Sequence, residues 1–413
     1  MSVKELSRTP RFIYADYESL KKGRTTDIYF IRTIKILQEE KLDRVEVNAE
    51  FTPSGFPDNY PWAVLGGLRD VAKLLEGLPV DVDALPEGTV FFEKDYYGVK
   101  EPVMAIRGPY ASFAIYETPI LGFLASGSGI ATKAARIKRL AGDKVVLSFG
   151  ARRTHPAVSP FNAFYAYIGG CDGVSCVMGA EEFLGMKPMG TMPHSLMIIF
   201  KVFRGDHAEA WKAFDKYMDP DVPRIMLVDT FYDEKYEALM AAEKLGERLF
   251  GVRLDTPSSR RGSFASIVKE VKWELKLRGY ENVKIVVSGG IDEDVIPELI
   301  KAGVDGFGVG SAIANARIID IAMDITAVKK DGKWMPITKR GKYSGIKKLY
   351  RCMDCFVDVV SPAESPPPKC PKCGKEMENL LKPLIRKGKV VAEFPSPKEE
   401  RDYVLKQVKR MGV

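Results

Sequence analysis

The chain has 413 residues, of which 46% are hydrophobic and 28% charged, a composition typical of a globular protein with two or three domains. Its formal net charge of +7 comes from 62 basic and 55 acidic residues. Such a dilute excess favours small anionic ligands slightly, and it does not indicate a nucleic-acid-binding protein.

The sequence has no pattern typical of a secreted or membrane protein. The first twenty residues contain no apolar core of a signal peptide, and no run approaches the ~20 uninterrupted apolar residues of a membrane helix. The longest candidate, from Thr191 to Phe200, is interrupted by Pro193 and His194. We therefore expect a cytoplasmic protein that does not interact with membranes.

The first hundred residues mix strand-like and helical patterns. The runs VEVNAEF and VFFEKDYYG have the composition of strands, and a helix is predicted from about Ala63 to Glu76. The segments FTPSGFPDNYP and DALPEGT separate these elements as turns. These patterns predict an N-terminal α+β domain over residues 1–110.

Between residues 111 and 320, short apolar runs alternate with helical segments. The runs are KVVLSF, DGVSCVMG, IMLVDT, RLFGVRLDT, VKIVVSGG and GFGVGS. Each is brief, rich in β-branched or aromatic residues, and ends in small or polar residues, which is typical of buried parallel strands followed by helices. We therefore expect an irregular αβ barrel here, followed by a basic, Pro-rich third domain over residues 321–413 whose tail could pack back on the N-terminal domain.

Polar residues at the predicted strand ends are candidates for ligand binding, because ligands of parallel sheets bind at the carboxyl ends of the strands. Arg152 and Arg153 follow KVVLSFG, and two guanidinium groups at one strand end suit a strongly anionic ligand. A solvated pair of loop charges is the alternative. Arg253 lies inside an apolar run, where pairing with Asp255 competes with ligand binding.

Two glycine-rich turns follow the last two predicted strands of this region. Gly289 and Gly290 end one strand, and Gly310 and Ser311 end the next. Glycines let backbone N–H groups approach a phosphate, and the loops after the last two strands of αβ barrels commonly bind one. Close packing of a strand on a helix is the alternative explanation.

Two carboxylates and one histidine complete the candidate residues. Asp229 and Asp255 each end an apolar strand, where they could orient ribose hydroxyls, hold Mg²⁺, or steady a histidine. Capping of the following helices is the alternative. His194, one of only three histidines, lies in GTMPHSLMIIF beside a strand-like run, and an isolated histidine is more often structural.

Taken in order, these segments resemble the nicotinate phosphoribosyltransferase family. GGCDGVSCVMGAEEFLGMKPMGTMPHSLM is similar to a family segment in which a GG-x-D-x-x-S motif precedes GT-x-x-HS. FGARR, LVDTF, GVRLD, SGGID and GFGVGS resemble further motifs, and TTDIYF is similar to the family's TDLYQ. The resemblance runs in register from about residue 25 to 315, and it implies a type II phosphoribosyltransferase fold.

The resemblance implies that nicotinate and phosphoribosyl pyrophosphate are converted to nicotinate mononucleotide and pyrophosphate in NAD salvage. It implies that His194 is phosphorylated by ATP. It also implies that Tyr29, Thr191 and Arg253 line the nicotinate pocket, with Tyr29 reaching across the interface of a homodimer or larger homo-oligomer.

The other strand-end residues receive roles in the same way. The resemblance implies that Arg152 and Arg153 hold the nicotinate carboxylate or the pyrophosphate, and that Asp229 and Asp255 bind ribose or Mg²⁺. The 5′-phosphate would lie on Gly289, Gly290, Gly310 and Ser311.

One departure from the family affects this assignment. Where the family often reads LDSGD, this chain continues after Leu254 and Asp255 as Thr-Pro-Ser-Ser-Arg-Arg over residues 256–261. The second carboxylate of the motif is missing, so Asp255 is assigned without a partner carboxylate.

Four cysteines form a second motif within residues 343–380. Cys352 and Cys355, and then Cys370 and Cys373, make two CxxC pairs separated by 14 residues. In a reducing compartment four thiolates at this spacing indicate a structural Zn²⁺ site in a small zinc-ribbon-like domain. Iron or a redox pair is the alternative. The module resembles that of the archaeal branch of the family.

Three other functions compete with nicotinate phosphoribosyl transfer. Nicotinamide phosphoribosyltransferase supplies an aspartate where this chain reads MGAEEFLG, and the basic, histidine-containing signature of quinolinate phosphoribosyltransferase is absent. A protein of another class, a nucleic-acid-binding zinc ribbon on an inactive scaffold, would show steeply salt-dependent binding and no turnover.

Overall fold

A computed structural model describes residues 12–255 and 262–411. The helices of this part of the chain are α1 (Tyr17–Lys21), α2 (Ile28–Glu39), α3 (Leu68–Leu75), α4 (Tyr110–Phe113), α5 (Glu117–Ala141), α6 (Ser159–Ile168), α7 (His194–Arg204), α8 (Ala208–Tyr217), α9 (Glu234–Leu245), α10 (Phe264–Leu277), α11 (Ile296–Ala302), α12 (Ser311–Ala314) and α13 (Pro397–Val408).

The strands are β1 (Glu46–Gly55), β2 (Ala63–Val64), β3 (Asp81–Ala84), β4 (Val90–Phe91), β5 (Met104–Pro109), β6 (Val145–Ser148), β7 (Gly173–Val174), β8 (Ile225–Leu227), β9 (Gly251–Leu254), β10 (Lys284–Ser288), β11 (Gly306–Val309), β12 (Asp320–Lys330), β13 (Lys333–Pro336), β14 (Lys347–Cys352), β15 (Val357–Pro362), β16 (Glu378–Asn379), β17 (Lys382–Arg386) and β18 (Lys389–Val390).

The chain forms two compact units. The first unit comprises Met1–Glu87, Phe91–Ser126 and Ile319–Phe394. It contains an antiparallel seven-stranded sheet in the order β13-β12-β1-β5-β3-β17-β18 and a three-stranded sheet in the order β15-β14-β16. Its core packs fully buried apolar side chains of the large sheet and α3 together, among them Phe51, Leu65, Val71, Leu75 and Ile106.

The second unit comprises Gly88–Val90, Gly127–Ile318 and Pro395–Val413. Its six-stranded sheet has the order β7-β6-β11-β10-β9-β8, and every pairing is parallel. Apolar β-branched and aromatic residues bury both faces of these strands, as parallel sheets require. Val146, Met226, Val252, Val287 and Phe307 are all inaccessible to solvent.

The expected barrel is not closed. The edge strands β7 and β8 have only two and three residues, and no backbone pairing joins them within residues 12–255 and 262–411. Such short strands offer few N–H and C=O groups for a ladder, so the sheet stays open. The protein therefore has a mixed α/β fold with an open parallel sheet, and the prediction of a barrel is wrong.

The six apolar runs each contain a strand of the parallel sheet, so the prediction of parallel strands is confirmed. The run after His194 is different, because residues 194–204 form helix α7 and not a strand. Its apolar residues include no polar alternation that would distinguish a short strand from a helix in the sequence. The division into three domains at residues 110 and 320 stays a prediction.

Within the described ranges, none of the helices is both long and apolar enough to cross a membrane.

Candidate active site

A cavity of about 1130 Å³ opens where the loops after β6, β9, β10 and β11 meet the segment that precedes α7. All of its lining residues belong to the second unit. Because parallel strands end at the same edge of a sheet, residues far apart in the chain converge here. The cavity brings together ten predicted site residues: Arg152, Arg153, Thr191, His194, Arg253, Asp255, Gly289, Gly290, Gly310 and Ser311.

His194 is the first residue of α7 and is held by a buried carboxylate. Its Nε2 lies 3.0 Å from Oδ1 of Asp229, whose side chain is 2% exposed. The other oxygen of Asp229 accepts the backbone N–H of Asp255 at 2.8 Å. The hydrogen bond that Asp229 accepts raises the pKa of His194, while partial burial opposes this effect. Both oxygens of Asp229 are thus engaged, one with the His194 imidazole and one with the Asp255 backbone.

Asp255 is fixed at the floor of the cavity by the neighbouring strand. Ser288, the last residue of β10, donates from Oγ to Oδ1 of Asp255 at 2.8 Å. Gly289 follows with φ +85°, and a Cβ there would lie 3.2 Å from the same oxygen. The positive φ and the close approach together favour glycine at this turn. One oxygen of Asp255 is therefore held in place, and the side chain faces the cavity.

Arg253 and Thr191 present polar atoms without partners. The Arg253 guanidinium donates from Nη2 to the carbonyl of Met192 at 3.0 Å. Its Nε and the Oγ1 of Thr191 are buried and have no hydrogen-bond partner among the described residues. Burial lowers the pKa of Arg253, and the charge of Asp255 opposes that shift. Buried polar groups normally have partners, so these two atoms indicate a missing polar ligand.

Arg152 and Arg153 lie on a short 3₁₀ turn, Ala151–Arg153, directly after β6. Both side chains are exposed, and no carboxylate of residues 12–255 or 262–411 lies within salt-bridge distance of either guanidinium. Together with Arg253 they give the cavity three guanidinium groups. That balance of charge favours a ligand with several negative charges.

Glycines open the loops after β10 and β11 to a ligand. In strand β11 itself, a Cβ on Gly308 would lie 2.4 Å from the Phe149 ring, so a larger residue would displace that side chain. Gly290 and Gly310 have open space or only distant neighbours at the Cβ position. Backbone groups at these turns are therefore accessible from the cavity, as the sequence pattern predicts for a phosphate site.

One predicted residue does not line the cavity, and one segment of the sequence lies outside the described ranges. Tyr29 is on α2 in the first unit, has a 55% exposed side chain, and is not among the cavity-lining residues. The Thr-Pro-Ser-Ser-Arg-Arg segment that replaces the family's second carboxylate lies outside the described residues.

Several residues of the site have no role that their position at a strand end indicates. Ser288 was part of a predicted polar strand end, yet its bond to Asp255 depends on the neighbouring order of β9 and β10. Asp292 and Phe149 also line the cavity. Phe149 is the last residue of the run KVVLSF and Asp292 follows the run VKIVVSGG, and these positions are their signal in the sequence.

The four cysteines of the second motif come together in the first unit. One sulfur atom from each of Cys352, Cys355, Cys370 and Cys373 lies within 4.8 Å of the others. The Sγ atoms of Cys352 and Cys373 are 3.6 Å apart. A tetrahedral zinc site with Zn–S bonds of 2.3 Å would separate its sulfurs by about 3.8 Å. The cluster could therefore bind a metal ion such as zinc.

Comparison with known proteins relates the chain to nicotinate and quinolinate phosphoribosyltransferases. Residues 130–324 match the family described as quinolinate phosphoribosyl transferase, C-terminal domain, and residues 27–128 match its N-terminal domain. Nicotinate phosphoribosyltransferase of Bacillus subtilis is 29% identical over 288 residues, which are 66% of this chain and 55% of that protein. The pncB2 enzyme of Mycobacterium tuberculosis, also named nicotinate phosphoribosyltransferase, is 29% identical over 79% of this chain and 68% of its own length.

Solved structures extend the similarity over the whole chain. The structure described as nicotinate-nucleotide pyrophosphorylase from Pyrococcus furiosus is 52% identical, covers 98% of this chain with 100% of its own, and has a TM-score of 0.91. Human nicotinic acid phosphoribosyltransferase shares the fold with a TM-score of 0.73 at 20% identity, each chain being 94% covered. The matched region spans about half the length of the Bacillus relative. The chain therefore belongs to the family of nicotinate and quinolinate phosphoribosyltransferases.

Proposed function

We propose that this protein is a nicotinate phosphoribosyltransferase, which makes nicotinate mononucleotide and pyrophosphate from nicotinate and phosphoribosyl pyrophosphate in NAD salvage. The observation that carries the proposal is the cavity in which Arg253 and Thr191 leave buried polar atoms unpartnered beside the His194–Asp229 pair. The names of the curated relatives supply the substrate.

The cavity suits both substrates. The guanidinium of Arg253 and the hydroxyl of Thr191 would bind the nicotinate carboxylate, and Arg152 and Arg153 would hold the pyrophosphate. The glycine turns and Ser311 would receive the 5′-phosphate. Each assignment places an anion against groups that lack a protein partner or are open to the cavity.

The reaction would follow from positioning and charge. The pyridine nitrogen attacks C1 of the ribose, a C–N bond forms, and the C–O bond to pyrophosphate breaks with its electron pair leaving on oxygen. Positive charge develops at C1, and Asp255, fixed by Ser288, would stabilise it or orient the ribose hydroxyls. Mg²⁺ would enter with phosphoribosyl pyrophosphate and offset the charge of the leaving group, with Asp255 and Asp292 as available carboxylates.

His194 would couple the reaction to ATP. In the neutral imidazole, donation of Nε2–H to Asp229 would leave Nδ1 as the unprotonated nitrogen. Nδ1 would attack the terminal phosphorus of ATP, forming a P–N bond and releasing ADP. The phosphate on His194 would add a dianion at the start of α7 and change the affinity of the site for its substrates. Hydrolysis of the P–N bond would then lower that affinity and release the product.

The proposal is tested by an assay of product formation. Nicotinate, nicotinamide and quinolinate are each supplied with phosphoribosyl pyrophosphate, with and without ATP. We expect nicotinate mononucleotide from nicotinate, formed faster with ATP. If nicotinamide is converted and nicotinate is not, the substrate is nicotinamide.

Quinolinate is the second candidate substrate, because the matching family descriptions name quinolinate phosphoribosyl transferase. Release of CO₂ from quinolinate without ATP, and no product from nicotinate, would establish that reaction instead. Steeply salt-dependent binding of RNA or DNA without any turnover would support the nucleic-acid-binding alternative.

We further propose that the cysteine cluster binds one structural Zn²⁺. Its four thiolates would fill the tetrahedral coordination shell, so the ion would stabilise the fold and leave no position for a substrate. Metal analysis of the purified protein should give one zinc per chain. Iron at the same stoichiometry would replace zinc in this assignment.

We also propose a homodimer or larger homo-oligomer. The face of α7 beyond His194 exposes four apolar side chains, of which Val202 is 73% and Phe203 is 78% accessible. The α2 face that carries Tyr29 is apolar and exposed as well. A second copy covering these faces would remove them from water and bring a tyrosine to each site. Light scattering should give a multiple of the 46.0 kDa chain mass.

A further inference from the structure

The loop that follows Asp229 forms hydrogen bonds with the buried carboxylate of Glu237, which does not line the cavity. Glu237, on α9, accepts the backbone N–H of Thr230 on one oxygen at 3.0 Å. Its other oxygen accepts the N–H groups of Phe231 and Tyr232 at 2.8 and 3.0 Å. Three consecutive amides directly after Asp229 thus converge on one side chain.

This carboxylate is itself enclosed. Both Glu237 and His207 have fully buried side chains, and Nε2 of His207 lies 3.2 Å from Oε1 of Glu237. The His207 ring packs against Trp211, Phe231 and Tyr232, with ring centroids 5.1 to 5.7 Å apart. Burial raises the pKa of Glu237, but His207 and the three amides outweigh it, and the pKa lies below its usual value. The contacts of Glu237 therefore favour its charged form.

The same cluster contacts the strand that carries Asp229. Trp211, on α8, donates from Nε1 to the carbonyl of Leu227 at 3.1 Å. Leu227 is the last residue of β8, two residues before Asp229. The cluster therefore restrains the chain on both sides of Asp229, through Leu227 before it and residues 230–232 after it.

Glu237 is not required to cap its own helix. The N-cap of α9 is Asp233, whose side chain accepts the backbone N–H of Tyr236 at 2.9 Å. The Glu237 carboxylate is directed instead at the loop that connects Asp229 to that helix. This arrangement goes beyond what helix formation needs.

We propose that Glu237, supported by His207, is a positioning residue that holds Asp229 in register with His194. The inference rests on the proposed function only for its catalytic consequence, since the contact between Asp229 and His194 is a feature of the structure. A displacement of a few tenths of an ångström at residues 230–232 would lengthen that contact, and His194 would lose part of the hydrogen bond that favours its protonated form.

The test follows the titration and tautomer of His194 by NMR of protein labelled with ¹⁵N at histidine. The chain has three histidines, so the signals are assigned with single substitutions at His155 and His194, and the remaining signal belongs to His207. Glu237→Gln keeps the shape but places an NH₂ where an oxygen accepts an amide. We expect it to lower the pKa of His194 by about half a unit or more, as loss of part of a charged hydrogen bond implies.

The matched control is Ala242→Gly, which destabilises the same helix at a buried position five residues after Glu237. It should leave the titration of His194 unchanged. If Glu237→Gln does not fold, Glu237→Asp keeps the charge and shortens the side chain, and the same shift is expected. In an Asp229→Asn background, Glu237→Gln should have no further effect, because the group it positions is already altered.

Activity gives an independent measurement. We expect Glu237→Gln to lower kcat for nicotinate mononucleotide formation with little change in KM for nicotinate. An unchanged His194 titration in a folded Glu237 variant, or an equal shift in Ala242→Gly, would overturn the positioning role. If the wild type turns over no nicotinate and Glu237→Gln still shifts the His194 titration, the positioning role stands and the proposed function is refuted.

Discussion

Replacing Asp229 with asparagine should reverse the tautomer of His194. The carboxylate accepts hydrogen bonds on both oxygens, from the His194 imidazole and from the Asp255 backbone N–H. An asparagine must keep its oxygen towards that N–H, which can only donate. Its NH₂ then faces Nε2 of His194 and requires this nitrogen to accept, so the proton moves to Nδ1.

The size of the effect follows from the same contact. A hydrogen bond to a charged group contributes about 1.5–3 kcal/mol, and one pKa unit corresponds to about 1.4 kcal/mol. Because the His194 side chain is 38% exposed, solvent screens the interaction, and the pKa of His194 should fall by about one unit in Asp229→Asn. If Nδ1 is the phosphorylated atom, kcat in the presence of ATP should fall on the order of 10²–10⁴-fold, as in other enzymes with a wrong histidine tautomer.

Two measurements decide the outcome. Histidine ¹⁵N NMR reports the tautomer and pKa of His194, and steady-state kinetics with and without ATP reports the coupling. The raised pKa of His194 means that its pair with Asp229 stabilises the fold fully below pH ~6.5 and less as pH rises through the folded pKa. The stability difference between wild type and Asp229→Asn should shrink accordingly. An unchanged tautomer and an unchanged ATP stimulation would refute the reasoning.

Four further outcomes are expected. Arg253→Lys should raise KM for nicotinate by roughly 10–100-fold with a smaller effect on kcat, because an ammonium cannot form a bidentate pair with a carboxylate; an unchanged KM would place the carboxylate elsewhere. Cys370→Ser should remove the bound metal and lower the unfolding free energy by more than ~2 kcal/mol, measured by metal analysis and denaturant titration. Gly289→Ala should cost about 1–2 kcal/mol in stability and raise KM for phosphoribosyl pyrophosphate, since φ is +85° there. Burial raises the pKa of Glu50 to about 7, so the stability that protonated Glu50 contributes is lost as pH rises from about 5 to about 8. Over that range the unfolding free energy of the wild type should fall by up to ~3 kcal/mol relative to that of Glu50→Gln.

Most of the site could be predicted because its residues occupy the ends of recognisable strands. Arg152, Asp255 and Ser311 each follow a short apolar run, and parallel strands bring such positions to one edge of the sheet. The local pattern of apolar runs followed by polar residues is therefore enough to predict which residues lie at this edge of the sheet. The contribution of Tyr29 stays a prediction, since no feature of its own unit tests it.

The parts that could not be predicted depend on contacts between distant segments. The sheet closes only if its two edge strands form hydrogen bonds with each other, and the sequence does not show how short β7 and β8 are. The pairing of His207 with Glu237 joins residues 30 positions apart with no motif between them. Residues 194–204 carry an apolar pattern that suits either a strand or a helix, and only the packed structure selects the helix.

The last helix, α13, belongs to the second unit although the chain reaches it only after building much of the first. Arg401 donates to the carbonyls of Gly170 and Cys171 and pairs with Asp172, directly before strand β7. Helix α13 is therefore synthesised only after the last segment of the first unit, which ends at Phe394. The segment that carries the cavity should not fold autonomously when excised as a contiguous fragment, and a premature stop near residue 395 should leave the nascent protein exposed to proteolysis at the 170–172 turn.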